Sequence, residues 1–240
     1  MSPGDSILAT SLSRSSTTTG LRTMRVRGSG VQLHAMTVGD PAGPPVLLLH
    51  GFPDFWYGWR HQIGPLADAG FFVIALDQRG YNQSDKPSTI AEYKLDRLVA
   101  DVTACLDDLG LASAAIVGHD WGGAVAWCLA AYHPGRVSRL VVINCPHPFA
   151  MQVALEGSWG QLARSWYMFA AQVPGLPERV AEWTRCRFLT RSLRASARPG
   201  TFTEHDLAQY RTAWSQPGAM TAMVNWYRAA ARQTLRGEHL

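Results

Sequence analysis

Three features are scarce in this sequence: long hydrophobic runs, cysteine motifs and, from residue 149 onward, lysine. No apolar segment approaches the roughly 18 residues that a membrane-spanning helix needs, so we expect no membrane partner. The four cysteines form no CxxC pair, and this usage is typical of a reduced, cytoplasmic protein. We expect no metal and no other cofactor. The remaining composition is that of a globular chain, 47% hydrophobic over 240 residues, with enough apolar side chains for one sizeable core.

The positive charge of the chain is concentrated in its second part. Residues 1–148 carry a net charge of −1 and residues 149–240 carry +5, within a total of +4. The 11 arginines of the second part are scattered among apolar positions and form no compact basic run. We therefore interpret them as a solvated helix face and expect no nucleic-acid partner.

Three stretches of different character divide the chain. Residues 1–23 are rich in Ser and Thr and lack the apolar segment of a secretory signal, which predicts a disordered tail. Residues 24–148 contain short apolar strands that alternate with helices. Residues 149–240 have the pattern of helices throughout, with breaks at Pro174-Gly175 and Pro199-Gly200, and we interpret them as a helical cap or lid.

The order of elements between residues 24 and 148 predicts the fold class. We expect strands at 24–27, 31–38, 46–49, 71–76, 114–118 and 139–144, and helices at about 91–110 and 121–132. This alternation is typical of an α/β protein with a doubly wound, mostly parallel sheet. Ligands bind such sheets at the carboxyl ends of the strands, where three glycine-containing loops fall, at 50–54, 77–87 and 118–123.

The last of these loops reads VGHDWGG and places Asp120 where a G-x-S-x-G turn carries its serine. A carboxylate with an ordinary pKa of about 3.9 is ionised at neutral pH, so it attacks a saturated carbon without first losing a proton. Asp is also a good helix cap, and that structural role is the alternative. The glycines at 118, 122 and 123 favour the tight turn of a nucleophile.

Six motifs together resemble the epoxide hydrolases of the α/β-hydrolase fold, with haloalkane dehalogenases as close relatives. They are HGFPDFWYGWR (50–60), DQRGYNQSDKP (77–87), VGHDWGG (117–123), NCPHP (144–148), SWYMFAAQVPGLPE (165–178) and AWSQPGAMTAMVNWYR (213–228). The resemblance runs from about residue 31 to about residue 228. It implies an α/β-hydrolase fold with a helical lid, lacking the last strands.

The resemblance implies a hydrolase that opens a small apolar epoxide to a diol through an ester on Asp120. Hydrolysis of that ester builds negative charge on its carbonyl oxygen, which calls for preorganised donors. By resemblance, the backbone N–H groups of Phe52 and Trp121 form this oxyanion hole, and the peptide bond between Phe52 and Pro53 is expected to be cis.

The resemblance also implies roles for side chains of the lid and of the first glycine loop. Tyr167 and Tyr227 match the two lid phenols that donate to the epoxide oxygen, and a phenol with a pKa near 10 is a neutral donor at pH 7. His50, Pro53 and Trp56 are expected to line the pocket.

The second half of that reaction needs a histidine and an acid, which in this family follow the lid. No segment after NWYR supplies them, Asn144 stands at the alternative position of the acid, and His119 is expected to point away from the pocket. We therefore expect a C-terminally truncated chain with impaired turnover, which a partner chain or C-terminal fragment would complete. Two other functions stay open: a haloalkane dehalogenase-like hydrolase, in which Trp121 helps to hold the halide, and a non-catalytic fragment or binding module.

Overall fold

The structure is a computed structural model, and it describes residues 20–147, 150 and 166–235. Six strands form one sheet within these residues. The strands are β1 (Arg22–Arg27), β2 (Gln32–Val38), β3 (Pro45–Leu49), β4 (Phe72–Asp77), β5 (Ala114–His119) and β6 (Val137–Ile143). Their spatial order is β1-β2-β4-β3-β5-β6, with β2 antiparallel to both neighbours and the other three pairs parallel. The predicted α/β class with a mostly parallel sheet is confirmed, whereas most of the predicted tail at 1–23 lies outside the described residues.

The middle of the sheet aligns the ends of three strands. The four residues of β3 after its first position are apolar and at most 3% exposed, as expected of a parallel strand that is covered on both faces. Leu49, the last residue of β3, pairs with Leu76 of β4 and with Gly118 of β5. The three glycine-containing loops predicted from the sequence therefore meet at one edge of the sheet.

Three helices connect the strands: α1 (Arg60–Asp68), α2 (Leu95–Asp108) and α3 (Trp121–Tyr132). One stripe of α2 faces the core, and it consists of Leu95, Leu98, Val99, Val102 and Leu106. Gly110 follows α2 with a φ of 68°, in the left-handed region that glycine adopts without strain. The apolar spacing and the glycine therefore predict this helix correctly. Its predicted start at about residue 91 instead falls in a short 3-10 helix, Ile90–Tyr93.

In the second part of the chain, the described residues form helices joined by short turns. It contains α4 (Trp166–Ala170), α5 (Leu176–Thr184), α6 (Arg187–Ser196), α7 (Glu204–Trp214) and α8 (Ala219–Leu235). Gly175 precedes α5 with a φ of 70° and Gly200 follows α6 with a φ of 83°, so both predicted breaks are present. None of the helices in the described residues has the length and hydropathy required to cross a membrane.

These later helices share a core with the sheet. Trp226 of α8 is 1% exposed, and its indole N–H donates over 3.0 Å to the carbonyl oxygen of Arg79 in the loop after β4. Arg79 is itself fully buried, and it pairs with Asp101 at 2.7 Å and with Glu92 at 2.8 Å. Because a buried guanidinium is stable only when its charge and donors are matched, this group fixes the loop against which α8 packs.

Candidate active site

The turn between β5 and α3 holds Asp120 in an uncommon backbone conformation. Its φ is 52° and its ψ is −120°, which residues with side chains seldom adopt. The turn also excludes neighbouring side chains. A Cβ atom on Gly118 would lie 2.3 Å from the carbonyl oxygen of Gly122, and one on Gly122 would lie 2.2 Å from that of Leu49. The glycine spacing of the motif is therefore a steric requirement of this strand–turn–helix.

The loop after β3 approaches Asp120 through a glycine. A Cβ atom on Gly51 would lie 2.4 Å from Oδ1 of Asp120, so a larger residue does not fit there. The next residue, Phe52, donates its backbone N–H to this Oδ1 over 2.9 Å, and the backbone N–H of Trp121 also donates to the Asp120 carboxylate. The peptide bond between Phe52 and Pro53 is cis, as predicted. Two backbone donors from different loops thus converge on one carboxylate.

Opposing influences set the pKa of Asp120. Burial is the largest and raises the pKa, whereas the N–H donors of Phe52 and Trp121, followed by the nearby His119 and His50, lower it by less. The pKa of Asp120 therefore lies above its ordinary value of 3.8. A poorly solvated carboxyl group that faces two fixed N–H dipoles is suited to stabilise negative charge developing on its own oxygen atoms.

Two tyrosines from the helical segment lie against these donors. The Tyr227 ring packs edge-on against the rings of Phe52, Trp121 and Tyr167, with centroid distances of 5.3, 5.2 and 5.9 Å. Tyr227 is 6% exposed, and its hydroxyl accepts the indole N–H of Trp121. Tyr167 is 43% exposed and its hydroxyl has no hydrogen-bond partner among the described residues. Both phenols can therefore still donate their own proton.

The protonation of both tyrosines follows from the same surroundings. Burial and then the charge of Asp120 raise the pKa of Tyr227 well above 10, and the same two causes raise the pKa of Tyr167. Both phenols are therefore neutral donors at pH 7. The side-chain amide of Gln172 joins α4, which carries Tyr167, to α8, which carries Tyr227. It donates to the carbonyl oxygens of Met168 and Tyr227 over 3.0 and 3.2 Å.

His50, which the sequence predicts in the pocket lining, is 1% exposed and uses both ring nitrogens within the fold. Its Nδ1 donates to the carbonyl oxygen of Gly51 over 3.0 Å, and its Nε2 accepts the backbone N–H of Gln78 over 3.1 Å. Burial is the largest influence on its pKa and lowers it. This pairing keeps the ring neutral and leaves no nitrogen to accept a proton from water.

The other two predicted lining residues, Pro53 and Trp56, are held by neighbours. The carbonyl oxygen of Pro53 accepts the indole N–H of Trp214 over 2.6 Å. The backbone N–H of Trp56 donates over 2.9 Å to the buried carboxylate of Asp77, and its ring is partly buried against the core. Two surface cavities, of about 340 and 330 Å³, lie elsewhere and are lined by neither Asp120 nor the two tyrosines. The extent of the pocket beside Asp120 stays a prediction.

No histidine ring hydrogen-bonds to the Asp120 carboxylate within the described ranges. His119 affects the pKa of Asp120 electrostatically, and its ring forms no hydrogen bond with a described residue. His147 packs against Trp127 with a centroid distance of 5.2 Å, and His205 is exposed on α7. His239 lies outside the described residues. In the same part of the chain, no cluster of three or more His, Cys, Asp or Glu residues is arranged to hold a metal ion.

Sequence reasoning missed two residues that support the loop of Phe52. The Tyr210 hydroxyl donates to Oδ1 of Asp54 over 2.8 Å, and Trp214 donates to the carbonyl oxygen of Pro53. Tyr210 and Trp214 are 1% and 4% exposed, and both belong to α7. Their spacing of four residues, which places them on one helix face, was the available signal.

Comparison with known sequences agrees with this architecture. The chain matches the alpha/beta hydrolase fold family over residues 44–199. It is 44% identical over 216 residues to the AB hydrolase superfamily protein YfhM of Bacillus subtilis (strain 168), covering 90% of this chain and 76% of that protein. It is 38% identical over 210 residues to epoxide hydrolase 4 of Mus musculus, covering 85% of this chain and 58% of that protein. The chain thus spans little more than half the length of the mouse relative.

Solved structures give the same result. One belongs to a study of novel epoxide hydrolases of the alpha/beta hydrolases superfamily from hot-environment metagenomes. It superposes with a TM-score of 0.78 at 34% identity, over 87% of this chain and 70% of that one. A mutant of an epoxide hydrolase from Bacillus megaterium superposes with a TM-score of 0.80 at 33% identity, over 85% and 71% of the two chains.

Proposed function

The chain belongs to the α/β-hydrolase fold family, and we propose that it is an epoxide hydrolase-type member that opens the epoxide ring through an ester on Asp120. One observation carries the proposal: the Asp120 carboxylate accepts the Phe52 N–H at 2.9 Å while the buried phenol of Tyr227 packs against the same Phe52. A nucleophile, an oxyanion donor and a proton donor thus occupy one small region. The names of the relatives support the same reaction class.

In the first step, a carboxylate oxygen of Asp120 attacks one carbon of a small apolar epoxide. The carbon–oxygen bond of the ring breaks, and its electron pair goes to the ring oxygen. That oxygen takes up a proton from one of the two phenols, Tyr167 or Tyr227, and this phenol is later reprotonated by water. The indole N–H of Trp121 stabilises negative charge on the Tyr227 oxygen during this transfer.

In the second step, water attacks the carbonyl carbon of the Asp120 ester, and the bond between this carbon and the oxygen that carries the substrate breaks. That oxygen takes one proton of the water and the other proton goes to solvent. The diol leaves with the former ring oxygen and this former Asp120 oxygen as its hydroxyl groups, and Asp120 regains a carboxylate that contains the oxygen of water. The N–H groups of Phe52 and Trp121 stabilise the negative charge on the carbonyl oxygen. Because no histidine ring of the described residues hydrogen-bonds to the Asp120 carboxylate, the proposal includes slow hydrolysis of the ester. A histidine from a partner chain or C-terminal segment would accelerate this step.

The tyrosine pair favours epoxide opening over the removal of a halide. A departing halide needs N–H donors and no proton, whereas the indole N–H of Trp121 is already engaged with the hydroxyl of Tyr227. In this proposal the helices described between residues 166 and 235 act as a cap that supplies both phenols. A cytoplasmic location, expected from the cysteine usage, belongs to the same proposal.

The experiment is intact-mass spectrometry of the folded chain after incubation with styrene oxide, with peptide mapping and assay of the diol. We expect a lasting adduct on Asp120 that is absent from the Asp120→Asn variant, whose side chain tolerates a positive φ. Asp96→Asn, at an exposed carboxylate in the first turn of α2, is the matched control, and its Asp120 should be labelled as in the parent chain. Diol without an accumulating adduct would support the reaction but contradict slow ester hydrolysis. A folded chain that forms neither adduct nor diol would overturn the proposal.

A further inference from the structure

One face of α7 is hydrogen-bonded to the loop that carries Phe52. Asp206, Tyr210 and Trp214 are spaced four residues apart and are 7%, 1% and 4% exposed. Each of the three forms a hydrogen bond with the segment between residues 53 and 60. A helix that only covered the sheet would need apolar side chains on this face. The polar groups indicate that α7 also determines the position of the loop.

The contacts closest to the candidate site come from Tyr210 and Trp214. Trp214 donates to the carbonyl oxygen of Pro53 over 2.6 Å, and Tyr210 donates to Oδ1 of Asp54 over 2.8 Å. The backbone N–H of Asp54 donates to the carbonyl oxygen of Gly51 over 2.9 Å and closes the turn. Both residues that follow the Phe52 amide are therefore fixed from α7, in a turn that is already closed by its own backbone.

The opposite end of the turn is fixed by steric contact. Gly51 lies so close to Asp120 that a Cβ atom on it would be 2.4 Å from Oδ1, so the chain cannot move inward there. The Phe52 N–H, between these two restraints, points at that Oδ1 over 2.9 Å. A donor that is held in place before the reaction stabilises developing charge without the cost of reorganisation.

We propose that Tyr210 and Trp214 are positioning residues, which hold the Phe52 N–H in line with the Asp120 carboxyl oxygen. The catalytic consequence rests on the proposed function, because the N–H acts on the ester of Asp120. The positional consequence is independent of it. Loss of the two α7 donors frees the peptide units after Phe52 and weakens its hydrogen bond to Asp120. The effect falls on ester hydrolysis more than on ring opening, since the oxyanion forms only in hydrolysis.

The chain offers a matched control at the other end of the same helix face. The Tyr57 hydroxyl donates to Oδ1 of Asp206 over 2.9 Å, in a bond like that of Tyr210 to Asp54. Tyr57→Phe therefore removes one tyrosine–aspartate hydrogen bond between α7 and the same segment. It leaves the contacts at Pro53 and Asp54 intact. If α7 only stabilises the fold, Tyr57→Phe and Tyr210→Phe should change the hydrogen exchange of the Phe52 amide equally.

The direct readout is the amide resonance of Phe52 in the unmodified protein. Gly–Phe pairs occur only at 51–52 and 70–71, so labelling with carbonyl-¹³C glycine and ¹⁵N phenylalanine selects two amides. Phe71, whose N–H donates to the Leu66 carbonyl oxygen over 3.1 Å, is the internal reference. We expect Tyr210→Phe and Trp214→Phe each to speed hydrogen exchange of the Phe52 amide about tenfold relative to Phe71. Tyr57→Phe should change this ratio less than about twofold.

The second readout is the lifetime of the Asp120 adduct. We expect Tyr210→Phe and Trp214→Phe to lengthen it about tenfold, less than the effect of losing an oxyanion donor outright, with adduct formation changed less than about threefold. Unchanged exchange at Phe52 in both variants would overturn the inference, as would an equal change in Tyr57→Phe. If the parent chain forms no adduct, the proposed function fails while the amide readout still decides the positioning role. Tyr210→Phe alone suffices if Trp214→Phe does not fold.

Discussion

The sheet-edge turns and the helical segment hold their parts of the candidate site in different ways. Around Asp120, close backbone packing positions the site. A Cβ atom added to Gly51, Gly118 or Gly122 would lie less than 2.5 Å from the nearest atom. The Tyr227 side chain, in contrast, is positioned by neighbouring rings and by the hydrogen bond of its hydroxyl with Trp121. Adding an atom to a glycine beside Asp120 should therefore destabilise the fold. Substitution of Tyr227 should instead leave the fold stable and reduce activity.

The largest effect on stability is expected from an added methyl group in the Asp120 turn. Gly122→Ala would place a Cβ atom 2.2 Å from the carbonyl oxygen of Leu49, a backbone atom of the central strand that cannot move aside. We expect the free energy of unfolding to fall by about 3 kcal/mol, measured by urea denaturation. Gly135→Ala is the control, because nothing lies within 4 Å of its added Cβ, and it should change stability by less than about 0.5 kcal/mol. Equal effects of the two substitutions would contradict the comparison.

A smaller effect on stability but a large effect on chemistry is expected at Tyr227. Tyr227→Phe keeps the ring contacts with Phe52 and Trp121 and removes the hydroxyl, which is the proton donor and the acceptor of the Trp121 indole N–H. We expect adduct formation on Asp120 to slow about 100-fold, within the usual range for a general acid. Mass spectrometry of reactions quenched at successive times measures this rate. Tyr132→Phe, at an exposed tyrosine on α3, should leave it unchanged, and a Tyr227→Phe rate within threefold of the parent would remove this phenol from the mechanism.

The smallest effect is expected for Asp206, which joins α7 to the loop after β3, and it concerns the dependence of stability on pH. Burial opposes ionisation of Asp206, but hydrogen bonds from Thr203 and Tyr57 and the charge of Arg60 outweigh it and lower its pKa to about 2. A carboxyl group with a lowered pKa stabilises the fold above its unfolded value of 3.8, and this contribution disappears as the pH falls towards 2. Asp206→Asn should therefore cost about 2 kcal/mol at neutral pH and little near pH 2. A cost that does not vary between these pH values would assign Asp206 a role independent of its charge.

The steric half of the site was predictable from sequence because its constraints are local. The glycines around Asp120 and Phe52 stand next to the residues they serve, so the motif itself records the tight turns. The apolar runs of β3 and β4 likewise predict buried parallel strands to within a residue or two at each end.

The supporting contacts from α7 were not predictable because they join distant parts of the chain. Tyr210 and Trp214 hydrogen-bond to groups 156 and 161 residues away, and no local pattern distinguishes such a donor from an aromatic core residue. His50 illustrates the same difficulty, since its ring is engaged by Gly51 and Gln78, and the second of these partners comes from another loop. The sequence predicts where side chains lie along an element, but their partners depend on the fold.

The measurement that tests the central claim most directly is the rate of adduct formation on Asp120 as a function of pH, with the adduct located by peptide mapping. Burial raises the pKa of Asp120, and only its ionised form attacks. The rate should therefore rise with pH and reach its midpoint above 3.8. It should not fall up to about pH 9, because the pKa values of Tyr167 and Tyr227 are also raised. Absence of an adduct on Asp120 at every pH, or a rate that falls as the carboxyl group ionises, would contradict a nucleophilic role for Asp120.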